Sequence, residues 1–332
     1  MKDGFVKTAA GTPDIKVADC GYNCARIKAL IDKAHEQGVR VLVLPELCIT
    51  GYTCQDLFFQ QTLLDGALNA LKDITEHSAG LDMLIAVGCP LRFRGELYNC
   101  AVVMKDGKIL GVVPKKFLPN YNEFYEKRHF TAAPEGEYDI ELFGESVPFG
   151  LGLLFECRGT PELVFAAEIC EDLWAAEPPS ISLALGGATL IANLSASNET
   201  IGKDSYRREL VNSQSARLLC GYVYASAGSG ESTQDLVFGG HDIIAENGIV
   251  LAESKLYSTG LTVTEIDVQK LASERRRNTS FVGGLRSGMR RIPFDMEIKP
   301  AELTRIVRRT PFVPNTSAET DKRCEDILTM QA

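Results

Sequence analysis

The sequence predicts an α/β protein in which two sheets pack face to face with helices on the outside. Three observations lead there. Amphipathic helical patterns alternate with short, fully apolar strand patterns in both halves of the chain. Asp106-Gly107 and Asn247-Gly248 interrupt that alternation with hairpin turns, which one doubly wound parallel sheet does not need. Three strand patterns also end abruptly in a carboxylate, a lysine and a thiol, at the strand termini where open α/β sheets carry chemistry. The chain has 332 residues and is 45% hydrophobic, enough for a large core.

The elements follow in order. Residues 23–37 read as a helix, because Ile27, Leu30, Ile31 and Ala34 recur at helical spacing and Gly38 sits where a C-cap belongs. Residues 41–44 are an apolar strand bounded by Pro45. Residues 56–76 are helical through Leu64, Ala67, Leu68, Leu71 and Ile74, and residues 84–87 form a buried strand. Residues 101–104 and 109–113 flank the first hairpin turn, and residues 140–155 are strand-rich. An apolar run from Leu163 ends at Cys170. A short helix over 178–186 starts with prolines, a strand covers 190–194, and a helix over 204–220 presents Leu210, Ala216, Leu219 and Cys220. A strand at 222–225 runs into a Gly-rich loop at 226–232, a hairpin covers 243–250, and a last strand covers 262–266. From Ser273 the rhythm stops. Pro293, Pro300, Pro311 and Pro314 suggest an extended arm, followed by a helical segment over 319–331 with Cys324, Ile327 and Leu328 on one face.

Composition narrows the function classes. A net charge of -9 argues against a nucleic-acid partner. Arg275 to Arg277 and the stretch from Arg286 to Arg291 read as solvated surface or interface. No run of 18 apolar residues occurs, so no membrane span is expected. The first residues lack the apolar core of a signal peptide, and the ten cysteines read as reduced cytosolic thiols, so a cytoplasmic location is expected. Cys20/Cys24 and Cys48/Cys54 are too loosely spaced for zinc and the four histidines lie far apart, so no metal is expected.

Cys170, Glu46 and Lys115 make a candidate nucleophile, base and oxyanion partner. A thiol attacks only as thiolate, and no histidine lies near the strand ends, which leaves Glu46 as base. Lys115 could favour the thiolate and hold an oxyanion, with the backbone N–H of Glu171 as a second donor. Amide hydrolysis through a thioester suits this set. Each residue also has an ordinary reading: a packed cysteine, a loop carboxylate, a solvated lysine pair. The spacing does not choose which of Lys115 and Lys116 turns inward.

The segments 44–52, 114–121 and 168–174 together resemble the three catalytic segments of the nitrilase (carbon–nitrogen hydrolase) superfamily, in the same Glu, Lys, Cys order. The likeness is closest to N-terminal glutaminase domains of glutamine-dependent NAD synthetases, through residues 5–10, 122–126, 193–197 and 238–242. It covers roughly residues 1–300. It implies a nitrilase-like four-layer αββα sandwich, with Glu46 as general base, Lys115 as oxyanion stabiliser and Cys170 as nucleophile. Phe117 stands where the superfamily's lysine motif has histidine. The resemblance makes Glu123 or Glu126 an auxiliary carboxylate, and Tyr52, Tyr121, Phe124, Glu171 and Ser197 a pocket for L-glutamine. It divides the chain into a catalytic domain at 1–272 and an arm or linker at 273–332 leading toward a C-terminal synthetase domain.

That second domain would use ATP, Mg and deamido-NAD. Its pyrophosphate-binding loop is absent here, so an excised glutaminase half is expected that needs no cofactor and does not itself make NAD. Homo-oligomers are common in the superfamily and are expected. The alternative is a stand-alone amidase, nitrilase or carbamoylase acting on another small substrate.

Overall fold

The computed structural model describes residues 1–284, 288–307, 313 and 317–332; Arg286, Pro311 and Pro314 lie outside them. Among the described residues two sheets carry the fold. The first contains β1 (Phe5–Thr12), β2 (Val41–Val43), β3 (Leu84–Phe93), β4 (Glu96–Lys105), β5 (Lys108–Pro114), β6 (Tyr138–Leu142), β7 (Glu145–Phe149) and β14 (Gly260–Asp267), in the order β14-β1-β2-β3-β4-β5-β7-β6. The second contains β8 (Leu153–Cys157), β9 (Val164–Ile169), β10 (Leu190–Ser195), β11 (Gly221–Ser226), β12 (Ile243–Glu246), β13 (Ile249–Glu253) and β15 (Arg290–Phe294), in the order β13-β12-β11-β10-β9-β8-β15.

The strands are apolar on both faces because each face meets a different layer. Val41 and Val43 join Val6, Ala86 and Val103 in a core shared with Phe155, Phe165, Leu194 and Val223 of the second sheet. Leu42 points the other way. It shares a core with Ile85 and Val102 and with Ile27, Ile31, Leu71 and Ile74 of α1 (Cys20–Glu36) and α2 (Gln61–His77). On the far side Ala166, Ile191 and Tyr222 meet Leu183 of α5 (Pro179–Leu185) and Val211 and Leu218 of α6 (Lys203–Leu218). The result is the expected helix–sheet–sheet–helix sandwich.

Several boundaries differ from the sequence expectation. The pattern at 56–76 is two pieces, because Gln60 is extended (φ -88°, ψ 123°) between a 3-10 turn and α2. Leu219 takes a left-handed backbone (φ 46°) that ends α6, so Leu219 and Cys220 lie beyond the helix. β1 was not foreseen: Lys7, Thr8 and Gly11 break its apolar run, yet Lys7 sits opposite Glu265 on β14 and pairs with it at 3.7 Å. The rhythm also continues past Ser273. α7 (Val268–Arg277) ends after it, and β15 adds a parallel edge strand beside β8. Contacts therefore carry the compact unit over Met1–Glu302, past the boundary expected at 272. Leu303–Ala332 forms a separate unit with α8 (Ser317–Gln331), none of whose side chains is buried.

Arg275 on α7 closes two helix ends. Its guanidinium donates to Leu218 O at 2.8 Å and Ala188 O at 2.7 Å, satisfying carbonyls that α6 and the turn after α5 leave open. Among the described residues no helix is long and apolar enough to cross a membrane.

Candidate active site

β2 delivers the first site residue. Leu44 N–H donates to Ala86 O at 2.9 Å, and Leu47 then takes a left-handed backbone (φ 49°), leaving fully buried Glu46 between them. Glu46 Oε1 accepts from Asn99 Nδ2 at 2.6 Å and from Lys115 Nζ at 2.6 Å. Its Oε2 accepts from Ala196 N–H at 2.8 Å. A carboxylate oxygen offers about two acceptor directions, so Oε1 is filled and Oε2 keeps one for another donor.

Gly88 on β3 makes this placement possible. A Cβ there would lie 2.2 Å from Leu47 N and 2.4 Å from Pro45 O. Gly88→Ala therefore has to push the Glu46 backbone away. It should destabilise the protein by about 3 kcal/mol, as overpacking against rigid backbone does. A lowered urea midpoint checks this; an unchanged midpoint would contradict the packing.

Lys115 follows β5 and is the lysine that turns inward. Its Nζ lies 2.6 Å from both Glu46 Oε1 and Glu126 Oε1. Burial works against the ammonium, but Glu126 and Glu46 outweigh it and hold the proton well above the ordinary lysine range. Lys116 faces outward, its ammonium 4.8 Å from the Phe117 ring. Glu126 begins the single turn α3 (Glu126–His129) and also accepts from Tyr52 OH at 2.8 Å. Burial raises its carboxyl to about 7, against the pull of Lys115.

Cys170 follows β9 in a strained backbone, φ 43° and ψ -100°. Such a conformation costs on the order of 1–3 kcal/mol and has to be held by its surroundings. The Cys170 N–H donates to Leu194 O at 3.0 Å and Asn193 Oδ1 at 3.1 Å. Behind it the buried Asp172 accepts from the N–H groups of Ile169 at 3.0 Å, Lys116 at 3.2 Å and Phe117 at 2.8 Å. One carboxylate thus ties the cysteine turn to the lysine turn. Burial, with the charge of Glu168, raises that carboxyl to about 8. Burial and then the Glu46 charge push the Cys170 thiol up, against Lys115, so the resting sulfur is protonated. Attack by this sulfur requires a base that takes the proton as the bond forms.

The two candidate auxiliary carboxylates separate. Glu126 joins Lys115, whereas Glu123 lies elsewhere and accepts from Asn198 Nδ2. Tyr121 OH donates to Glu171 Oε1 at 2.8 Å, with the Phe124 ring 5.9 Å from the Tyr121 ring. Phe124 and Tyr52 pack on Ala196, Ala227, Leu236 and Phe238. Ser197 Oγ accepts from Arg207 Nη2 at 3.4 Å, and the buried Arg207 is paired with Glu199 at 2.9 Å.

Sequence reasoning missed Asn99, Asp172, Asn193 and Lys203. Lys203 opens α6, where the helix dipole disfavours a cation, and that misplacement is the signal it carries. Its Nζ donates to Asn198 Oδ1 and lies 5.1 Å from the Trp174 ring centroid. Burial lowers its proton affinity and a Cys170 thiolate would raise it. Among the described residues no group of three or more His, Cys, Asp or Glu is arranged to hold a metal.

The carbon–nitrogen hydrolase family profile matches residues 7–276. The glutamine-dependent NAD(+) synthetase of Mycobacterium tuberculosis (strain ATCC 25618 / H37Rv) is 41% identical over 338 residues, covering 99% of this chain and 50% of that protein. The chain therefore spans about half the length of the curated relatives it matches. Among solved structures, a glutamine-dependent NAD(+) synthetase from Cytophaga hutchinsonii superposes with a TM-score of 0.71 at 30% identity, over 79% of this chain and 43% of that one. A carbon-nitrogen hydrolase from Helicobacter pylori G27 shares the fold with a TM-score of 0.64 at 18% identity, over 83% of this chain and 94% of that one.

Proposed function

Because the chain belongs to the carbon–nitrogen hydrolase family, we propose that it hydrolyses the side-chain amide of L-glutamine through a Cys170 thioester. The observation that carries this reading is the strained, buried Cys170 turn tied to a buried Glu46–Lys115–Glu126 cluster. Glu46 Oε2 takes the Sγ proton as sulfur attacks the amide carbon. Lys115 Nζ and the Glu171 N–H stabilise the oxyanion. The tetrahedral intermediate collapses, the C–N bond breaks, and ammonia leaves with the proton from Glu46. Water then attacks the thioester with Glu46 again as base, releasing glutamate and restoring the thiol.

The surrounding charges suit an amino acid. Glu171, held only by Tyr121 OH among the described residues, is the partner for the α-ammonium. Lys203 and Ser197 suit the α-carboxylate, and Tyr121 and Phe124 cover the aliphatic stem. The names of the relatives support a larger role: the ammonia would serve ATP-dependent amidation of deamido-NAD by a C-terminal synthetase domain. A cytoplasmic homo-oligomer is part of the same reading.

A substrate panel tests it. Glutamine should exceed asparagine, a simple nitrile and an N-carbamoyl amino acid by at least about tenfold in kcat/KM: asparagine is one methylene short of reaching Cys170 with its α-groups on Glu171 and Lys203, the carbamoyl compound lacks the α-ammonium, and the nitrile lacks both charges. A simple nitrile or carbamoyl compound turning over faster than glutamine would overturn the glutamine reading. The pH profile adds a second check. Glu126 binds Lys115 as a carboxylate, and its carboxyl lies at about 7, so activity should fall as pH drops through that value. The limb belongs to the coupled cluster, and Glu126→Gln should move it.

A further inference from the structure

We propose that Asn193 is a positioning residue that clamps Cys170 in its strained backbone and thereby aims the Glu171 N–H at the oxyanion. The proposal rests on the reading of Cys170 as nucleophile. Asn193 lies on β10, fully buried, beside the end of β9. Its side-chain amide meets both backbone groups of the cysteine. Oδ1 accepts the Cys170 N–H at 3.1 Å, and Nδ2 donates to Cys170 O at 3.4 Å. The backbone bond from Cys170 N–H to Leu194 O carries the pairing of β9 with β10 one residue past Ile169, the last residue of β9 in register, and the Asn193 side chain reinforces it.

The orientation of that amide is fixed in turn. The Cys170 N–H can only donate, which identifies the atom it meets as Oδ1 and leaves Nδ2 for the carbonyl; Ser195 Oγ adds a second donor to Oδ1 at 2.7 Å. The consequence concerns ψ of Cys170. With φ at 43° and ψ at -100°, the next peptide group points away from the direction an extended strand would give it. That peptide carries the Glu171 N–H. Leu173 N–H also donates to Cys170 O, at 3.0 Å, and keeps doing so without Asn193; losing the Nδ2 contact therefore leaves that carbonyl held from one side, loosens ψ and lets the oxyanion donor drift while the thiol stays in place.

Simple alkylation and acyl transfer then separate. Alkylation by iodoacetamide needs only the sulfur and a base, whereas amide hydrolysis also needs the oxyanion donors. In the full chain, Asn193→Ala should lower kcat for glutamine on the order of hundredfold, as a misplacement of about 1 Å does. KM and the iodoacetamide rate at Cys170 should each stay within about threefold of wild type, since neither uses the oxyanion donor. Ser195→Ala, a milder change, should give a smaller loss of kcat in the same direction. Amide hydrogen exchange across residues 168–174 should accelerate in Asn193→Ala whatever the substrate. Unchanged kcat, unchanged exchange, or equal losses in hydrolysis and alkylation would overturn the clamp. Turnover of a different amide with the same dependence on Asn193 would overturn the glutamine reading and uphold this one.

Discussion

Cys170→Ala should abolish measurable glutamine hydrolysis, a loss of at least about 10⁴-fold, with the fold intact. Removing a covalent nucleophile leaves only the contribution of binding and the oxyanion donors. The structure gives reason to expect a folded variant. The contacts that hold the turn are backbone contacts, to Leu194 O and to Asn193, and alanine keeps them. The positive φ is already borne by a residue with a Cβ. Ammonia release is the measurement, with the thermal midpoint as control. Retention of more than about 1% of turnover would move the chemistry to another residue.

Lys115→Met should be the most damaging of these changes to stability and should slow the reaction as well. Methionine approximates the length of the side chain but supplies no charge. Glu46 and Glu126 would then face each other, both buried, without the cation that sits 2.6 Å from each. Breaking a buried ion pair by removing one partner costs about 3–5 kcal/mol, because the charge left behind has no solvent. Hydrolysis should fall on the order of 10³-fold as an oxyanion donor is lost. Glu126→Gln in the same background should return part of the stability, since it removes one of the two stranded charges. Urea denaturation of the parent and the two variants checks the sign. A Lys115→Met protein as stable as the parent would contradict the burial of this cluster.

The sandwich was legible because its central strands are apolar on both faces. Val41, Leu42 and Val43 carry no polar residue, and the structure sends them alternately to the two cores. β1 and β15 were not legible for the opposite reason. Lys7 in β1 is paired across the sheet with Glu265, Thr8 Oγ1 donates to Val6 O of its own strand, and β15 is an edge strand, where Arg290, Arg291 and Pro293 are tolerated. The positions of Glu46 and Cys170 could be read from the abrupt end of each strand, while Lys115 was singled out from Lys116 only through the family resemblance.

What fixes them could not be read that way. Asp172 follows two positions after Cys170 and looks like a turn acid, yet three backbone N–H groups converge on it. That convergence exists only after β5 and β9 are brought together. The same holds for Glu126 against Glu123. Their spacing in the chain is similar, and only the backbone path decides which carboxylate reaches Lys115. Asn99 and Asn193 gave one usable signal. Each is a lone amide within a buried strand, where an unpaired polar group is too costly to keep without a partner.

The most direct test is intact mass after treatment with 6-diazo-5-oxo-L-norleucine, an electrophilic glutamine analogue, on wild type and Cys170→Ala. The account predicts a single adduct on wild type and none on the variant, which joins glutamine recognition and the nucleophile in one site. An unmodified wild type whose Cys170 is still alkylated by iodoacetamide would contradict glutamine as the substrate. An adduct that persists in Cys170→Ala would contradict Cys170 as the nucleophile.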